Sequence, residues 1–348
     1  MSEINKRTIA NVGGIKIGLN NKIVIQSMAN IKTSNFKSVI NQINQLVSYG
    51  CELVRVSLLD DSDFIGLKEI IKQANCPIIA DIQYNPEYAI KSIKCGVAGI
   101  RINPGNFLNI DKFVEIINQC KKYHVAMRIG INTGSLPNHI KTNMQIINYI
   151  KKYITICEKN KFTNIVLSIK SSNSSQTISL NKKLYSTFKY PIHIGVTEAG
   201  DLLTSTVRSS KVLSQLLSQK IGNTIRVSIS GDPINEVKVA KLILQENGYD
   251  VKLTKLISCP TCGRCTIDHN ELLNKINDFI YQYPNNKISV AIMGCNVNGI
   301  KEVKNATIGI YGVNNKYVLC CKHKMIGMYN FDEVLKLFKK YYLELFVK

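Results

Sequence analysis

The chain has 348 residues, 45% of them hydrophobic, with a mean hydropathy of -0.01, enough to bury one large core and one small one. No run of eighteen apolar residues occurs and the opening MSEINKRTIANVGG lacks the apolar stretch of a secretory signal, so a soluble, unexported, cytoplasmic protein without membrane partners is expected. The net charge of +21 comes from lysines dispersed at helix-surface spacings among abundant Asn and Ile, which argues against a nucleic-acid partner and leaves acidic proteins and phosphorylated substrates as beneficiaries of the field.

From residue 23 to about 230 a short apolar run, a turn and an amphipathic helical stretch recur in that order. Eight buried strands are predicted: Ile23 to Ser27, Leu53 to Ser57, Ile78 to Asp81, Gly99 to Asn103, Val125 to Ile131, Ile165 to Ser171, Ile192 to Thr197 and Thr224 to Ser228. The stretches between them, such as Phe36 to Tyr49, Ile110 to Tyr123, Met144 to Glu158 and Leu202 to Leu217, are long enough to be right-handed crossover helices. Eight such units favour a closed (β/α)8 TIM barrel over a doubly wound sheet.

Past Asn247 the period breaks. A strand over Val251 to Ile257 leads into SCPTCGRC, followed by a helix near Asn270 to Tyr281, a strand Lys287 to Met293 and the string MGCNVNG. Short strands near Thr307 to Tyr311 and Lys316 to Cys321 and an amphipathic helix from Asp332 to Leu345 complete the chain. The expected organisation is a substrate-binding barrel over 1–248 and a small α/β domain over 249–348 that carries the grouped cysteines.

Polar residues gather at one end of the barrel strands, where enzymes of this architecture keep their active sites. They are Gln26, Arg55, Asp81, Arg101 with Asn103, Arg128 with Asn132, Lys170, His193 with Thr197 and Glu198, and Arg226 with Ser228. Four arginines and a lysine repel one another unless an anion lies among them, and guanidinium forks suit phosphate oxygens. One strand-end Arg is commonly paired with a structural carboxylate, but five cations exceed what Asp81 and Glu198 neutralise. Asp81 reads either as a proton carrier or as an ion-pair partner, and His193 either as a packed strand residue or as a catalyst.

Cys51, Cys76, Cys95, Cys120 and Cys157 stand singly in apolar segments and read as reduced core residues, as do the adjacent Cys320 and Cys321. Cys259 and Cys262 form a C-x-x-C turn, and Cys295 arrives from a second turn after a buried strand. Such a site holds zinc or an iron–sulfur cluster. Cys265 extends the first motif to C-x-x-C-x-x-C and with Cys295 would complete a four-thiolate zinc knuckle. Glu302, seven residues after Cys295, is the other possible fourth ligand, a harder donor that a substrate oxygen can displace from iron.

The strings VGGIKIG near Val12, QSM at Gln26, ELVRV ending at Val56, ADI at Ala80, RINPGN from Arg101 and RIGINTGSL from Arg128 are joined by HIGVTEAG from His193, NTIRVSIS from Asn223, SCPTCGR from Ser258 and MGCNVNG from Met293. In these strings the chain resembles, nearly end to end, the (E)-4-hydroxy-3-methylbut-2-enyl diphosphate synthases of the methylerythritol phosphate route to isoprenoids. The resemblance implies a barrel joined to a domain like those of sulfite and nitrite reductases, in a homodimer where the barrel mouth of one subunit faces the cluster of the other. It implies an oxidoreductase that turns 2-C-methyl-D-erythritol 2,4-cyclodiphosphate, with two electrons and protons, into the linear allylic diphosphate and water. The electrons come from flavodoxin or ferredoxin. The implied ligands of a [4Fe-4S] cluster are Cys259, Cys262, Cys295 and Glu302, with Cys265 outside the set. Arg55, Arg101, Arg128, Lys170, His193 and Arg226 would bind the substrate with Asn132 and Ser228, while Asp81 and Glu198 would carry protons and Glu302 would act at the cluster.

The chain departs from the family at four places. NGIKE, with Ile300 and Lys301, replaces the usual NGPGE before Glu302; Gln83 stands where His is typical; Asn223 stands where Asp is usual; and Cys265 is an additional cysteine. Two other classes stay open on the residues alone. An RNA-associated protein with a zinc knuckle would need a basic stripe interleaved with aromatics, and the chain has no Trp. A non-redox barrel enzyme acting on a phosphorylated or pterin substrate would use its second domain only to hold a dimer.

Overall fold

A computed structural model describes residues 7–106, 109–197 and 200–346, in two units that divide between Asn247 and Gly248. The first unit begins with a hairpin the sequence did not announce, β1 (Ala10–Val12) and β2 (Ile15–Ile17). Gly13 makes its turn at φ +58°, in a space where an added Cβ would lie 2.7 Å from Pro77 Cβ and 2.8 Å from Ala98 Cβ. Ala10, Val12 and Ile17 of the hairpin pack on Val24, Leu53, Ile79, Ala126 and Val166, residues near the starts of five barrel strands, and so plug that end of the barrel.

The strands are β3 (Val24–Met28), β4 (Leu53–Ser57), β5 (Ile78–Ile82), β6 (Gly99–Ile102), β7 (Ala126–Asn132), β8 (Ile165–Lys170), β9 (His193–Gly195) and β10 (Thr224–Arg226). All pairings are parallel, in the order β8-β7-β6-β5-β4-β3-β10-β9. A parallel bridge between Leu167 and Ile192 joins the two outer strands and closes the ring. Each overlaps one of the eight predicted runs, and the (β/α)8 architecture is borne out. β5 and β8 are buried at every residue because the barrel fills one face and helices cover the other.

The helices are α1 (Phe36–Ser48), α2 (Asp63–Gln73), α3 (Pro86–Cys95), α4 (Ile110–Lys122), α5 (Asn143–Lys159), α6 (Ser174–Thr187), α7 (Leu202–Leu217) and α8 (Ile234–Glu246). Their starts follow local chemistry. Thr142 and Gln145 form a reciprocal capping box on α5, and Asn85 caps α3 just ahead of Pro86 at its first turn. Among the described residues no helix is long and apolar enough to cross a membrane.

The second unit contains β11 (Lys255–Ser258), α9 (His269–Gln282), β12 (Ser289–Met293), α10 (Asn296–Asn305), β13 (Ile308–Val313), β14 (Lys316–Cys321), β15 (Lys324–Tyr329) and α11 (Phe331–Glu344). Its sheet runs β11-β12-β13-β14-β15, the first three strands parallel and the rest antiparallel. Leu272, Ile276 and Ile280 of α9 and Val334, Phe338 and Tyr342 of α11 share one core with the sheet, while Val303 of α10 packs on Ala291 and Met293 in another. Neither α10 nor β15 was anticipated. α10 buries only Gly299 and Val303, too little for an apolar stripe, and β15 (KMIGMY) has no buried residue.

Cys51, Cys120, Cys157 and Cys321 are buried, whereas Cys76, Cys95 and Cys320 are only half-buried, so the expectation of simple core residues holds for four of these seven. Burial pushes the Cys76 thiol up to about 11 and Cys157 to about 12, which keeps them protonated and unreactive.

Candidate active site

Strand register decides which side chains share a level at the carboxyl ends of the barrel. Asp81 pairs with Arg101 and Arg101 with Arg128 across three neighbouring strands, while Asn132 pairs with Lys170. They open on a cavity of about 390 Å³ whose walls include Arg55, Asp81, Arg101, Arg128, Asn132, Lys170, Arg226 and Ser228, eight residues expected at the site. Asn103, Thr197, Gln83, Tyr84 and Ser135 line it too.

Two glycines make room for the cations. A Cβ on Gly195 would fall 2.5 Å from the Arg226 carbonyl oxygen and 2.6 Å from Lys170 Nζ, and one on Gly130 would fall 3.2 Å from Arg101 Nε. Gly195→Ala is therefore expected to push β9 and β10 apart at Arg226 as well as displace the Lys170 ammonium, weakening pyrophosphate binding measured by calorimetry and lowering the melting temperature.

The carboxylates are few and already engaged. Asp81 lies 3.3 Å from Arg101 Nη1 and 3.6 Å from Arg55 Nε, and also accepts from Gln83 Nε2 at 3.0 Å. Burial alone would raise its pKa, but Arg55, Arg101 and Arg128 together hold it below the usual carboxylate range. It is ionised at neutral pH, and its surroundings match the ion-pair alternative better than the proton carrier. Gln83, in place of the family's typical His, supplies an N–H donor to that carboxylate.

Glu236, which the sequence had not singled out, takes Arg226 in a two-point fork at 3.1 Å and 2.9 Å. Its signal was an acidic residue in the first turn of the helix after the last barrel strand. Arg128 donates to the neutral Gln26 amide, and Lys170 has no carboxylate partner among the described residues.

Five cations against Asp81 and Glu236 leave a surplus of three positive charges among the described residues. Burial, then mutual repulsion, pulls Arg55 down to about 10. Arg128 and Lys170 are pushed well below their ordinary values by burial first and the neighbouring arginines next. The sign follows for binding. An anion favours the protonated Lys170, so affinity for pyrophosphate should fall as pH rises through the depressed Lys170 pKa, with proton uptake on binding. Calorimetry in buffers of different ionisation enthalpy reads that uptake directly; none would mean Lys170 is fully protonated beforehand.

His193 does not line the cavity. It is fully buried in β9, its Nδ1 3.4 Å from Thr224 Oγ1 and its Nε2 without a partner among the described residues. Burial and the neighbouring Arg128 and Lys170 depress its pKa well below the ordinary value, so the imidazole is neutral. The packed-strand alternative fits this position better than direct contact with a substrate. Glu198 lies outside the described residues. Asn223, replacing the family's usual Asp, accepts from the Ile192 N–H at 3.0 Å, an acceptor role a carboxylate fills equally well.

In the second unit the grouped cysteines gather around the carboxyl ends of β11 and β12. Cys259 Sγ accepts from the Gly294 N–H at 3.2 Å and lies 3.9 Å from His269 Nε2. Cys295 is the N-cap residue of α10, and Cys262 is exposed on the loop between. Cys265 Sγ instead donates to Ile267 O at 3.3 Å.

Among the described residues no three His, Cys, Asp or Glu side chains converge as a single metal ion requires. Three soft donors with an N–H or a helix N-terminus beside two of them fit an iron–sulfur cluster, whose ligands stand further apart. Glu302 is half-buried on α10, about 10 Å of helix rise beyond Cys295. Ile300 and Lys301 are exposed and continue the helix, while Gly299 is required because a Cβ there would lie 2.5 Å from Tyr311 Cβ.

Fold and cavity together define a (β/α)8 barrel with a cation-lined cavity at its strand ends, followed by a small cysteine-bearing α/β unit. Residues 7–241 match the family model described as the GcpE TIM-barrel domain, and residues 255–344 match the GcpE protein C-terminal domain. The chain belongs to the GcpE family. It is 43% identical to the 4-hydroxy-3-methylbut-2-en-1-yl diphosphate synthase (flavodoxin) of Malacoplasma penetrans, over 94% of this chain and 92% of that protein. It is 39% identical to the protein of the same name from Geobacillus thermodenitrificans, over 98% and 93%. Among solved structures, the dihydropteroate synthase of Yersinia pestis superposes with a TM-score of 0.52 at 14% identity, covering 68% of this chain and 98% of that one, a likeness of fold alone.

Proposed function

We infer that the chain is an oxidoreductase of isoprenoid precursor synthesis. It converts 2-C-methyl-D-erythritol 2,4-cyclodiphosphate, two electrons and two protons into (E)-4-hydroxy-3-methylbut-2-enyl diphosphate and water. The observation that carries this reading is the charge surplus in the barrel cavity of a GcpE-family chain. The cyclic substrate has one ionised oxygen on each phosphate, and breaking its ring C–O bond frees a third. A site with three surplus positive charges suits the opened diphosphate better than the closed ring, so its binding energy favours ring opening.

Arg55, Arg101, Arg128, Lys170 and Arg226 clamp the phosphates, and Asn132 and Ser228 add directional hydrogen bonds. Asp81 holds two of those forks in place, which leaves Glu198 as the proton carrier of this proposal. Cys259, Cys262, Cys295 and Glu302 would hold a [4Fe-4S] cluster, which when bound would supply the electrons for the reduction. Flavodoxin, named in the relatives, is the proposed electron donor in the cytoplasm, with ferredoxin as the alternative, and the active form is a homodimer.

Anaerobic reconstitution with iron and sulfide, followed by assay with the cyclodiphosphate and a chemical reductant, tests this function; no allylic product at any cluster loading rejects it. Glu302→Ala should retain part of the cluster, because thiolates contribute most of the affinity, yet turn over abnormally. Cys265→Ser should keep the full iron content. Loss of iron in Cys265→Ser but not in Glu302→Ala would show that the ligand set is wrong.

A further inference from the structure

Glu236 is only 2% exposed and accepts four hydrogen bonds, from Arg226 Nε at 3.1 Å, Arg226 Nη2 at 2.9 Å, Ser27 Oγ at 2.7 Å and the Ile229 N–H at 3.2 Å. These bonds tie the start of α8 to β3, to β10 and to the loop after β10. They also occupy one edge of the Arg226 fork and leave Nη1, whose nearest acceptor is the Met28 sulfur at 3.7 Å. The same sulfur accepts from Arg55 Nε at 3.3 Å and Nη2 at 3.0 Å. A thioether is a weak acceptor, so a phosphate oxygen can displace it from both guanidiniums at little cost.

Arg226 has somewhere else to go. It and Met28 line the 390 Å³ cavity on one side and a second cavity of about 470 Å³ on the other, whose walls also include Lys32, Ser57 and Glu236. We infer that Glu236 is a positioning residue that locks Arg226 toward the phosphate cavity, and that Met28 is the placeholder that keeps the Arg55 and Arg226 donors aimed there before the substrate arrives. This rests on the phosphate-binding reading of the barrel cavity given above.

Charge and position predict opposite signs, which makes the inference testable. Glu236→Gln removes a buried negative charge beside the cavity. If charge alone mattered, an anion would bind more tightly; if position matters, binding weakens although the site has become more positive. The experiment is calorimetric titration of the full-length, cluster-loaded protein with inorganic pyrophosphate under anaerobic conditions, with melting curves to establish folding.

The expected result is a dissociation constant raised about tenfold or more in Glu236→Gln, with partial recovery in Glu236→Asp, which retains the charge on a shorter arm. Met28→Leu keeps the volume and leaves Glu236 in place, so it tests the same idea if Glu236→Gln fails to fold; it too should weaken binding. Unchanged or tighter binding in a folded Glu236→Gln, or unchanged binding in Met28→Leu, overturns the inference alone. Failure of the unaltered protein to bind pyrophosphate overturns the phosphate-cavity reading along with it.

Discussion

Cys259→Ser is expected to bring turnover below detection while leaving both units folded. The thiol stands just past the end of β11, close against the Gly294 N–H, where a serine hydroxyl would fit but is a far poorer ligand for iron than a thiolate. The large apolar core of the second unit, built from α9, α11 and the inner sheet face, does not include this residue, so its packing should survive the change. Iron and sulfide content, a melting curve and the reductant-driven assay together decide the matter. Near-normal turnover without iron would instead favour a non-redox barrel enzyme whose second domain plays no chemical part.

Lys170→Met should cost the substrate about 2–4 kcal/mol of binding, or roughly 30-fold to 1000-fold in affinity, because it removes a buried cation that would face the phosphates directly. Among the described residues its charge is not shared with any carboxylate, unlike that of Arg101 or Arg226. The same change should raise the melting temperature of the ligand-free protein by a few degrees. Burial and four neighbouring arginines make the free ammonium costly, and a methionine of similar length relieves that cost. Opposite movements of affinity and stability are the signature of charge stored for a ligand; a loss of both would mean that Lys170 is structural. The fall in pyrophosphate affinity as pH rises through the depressed Lys170 pKa should also disappear in this variant.

Much of this protein could be seen in its linear order. The barrel strands were visible because they are largely buried and therefore open on short apolar runs such as Ile78 to Ala80 or Ile165 to Leu167. Arg101, Lys170 and Arg226 stood out because each lies at or near the end of its run, the position the barrel turns toward its mouth, whereas Arg55 and Arg128 stood out as lone cations inside theirs. The paired cysteine turns were legible for a similar reason, since their spacing is local.

What stayed hidden depends on residues far apart in sequence. The hairpin of β1 and β2 is too short for periodicity to reveal, and its purpose exists only once five strand ends need a plug. The 209-residue separation between Ser27 and Glu236 gives no local signal, yet their hydrogen bond helps fix where Arg226 points. His193 and Asp81 illustrate the same limit, because strand position nominates a residue while only closure of the barrel decides whether it meets the cavity, a cation or the core. The order of residues determined the barrel, its cationic strand ends and the cysteine set, through patterns that repeat within a few positions. Tertiary structure alone decided which charges are neutralised and which remain for a ligand, because charge balance is a property of the assembled site.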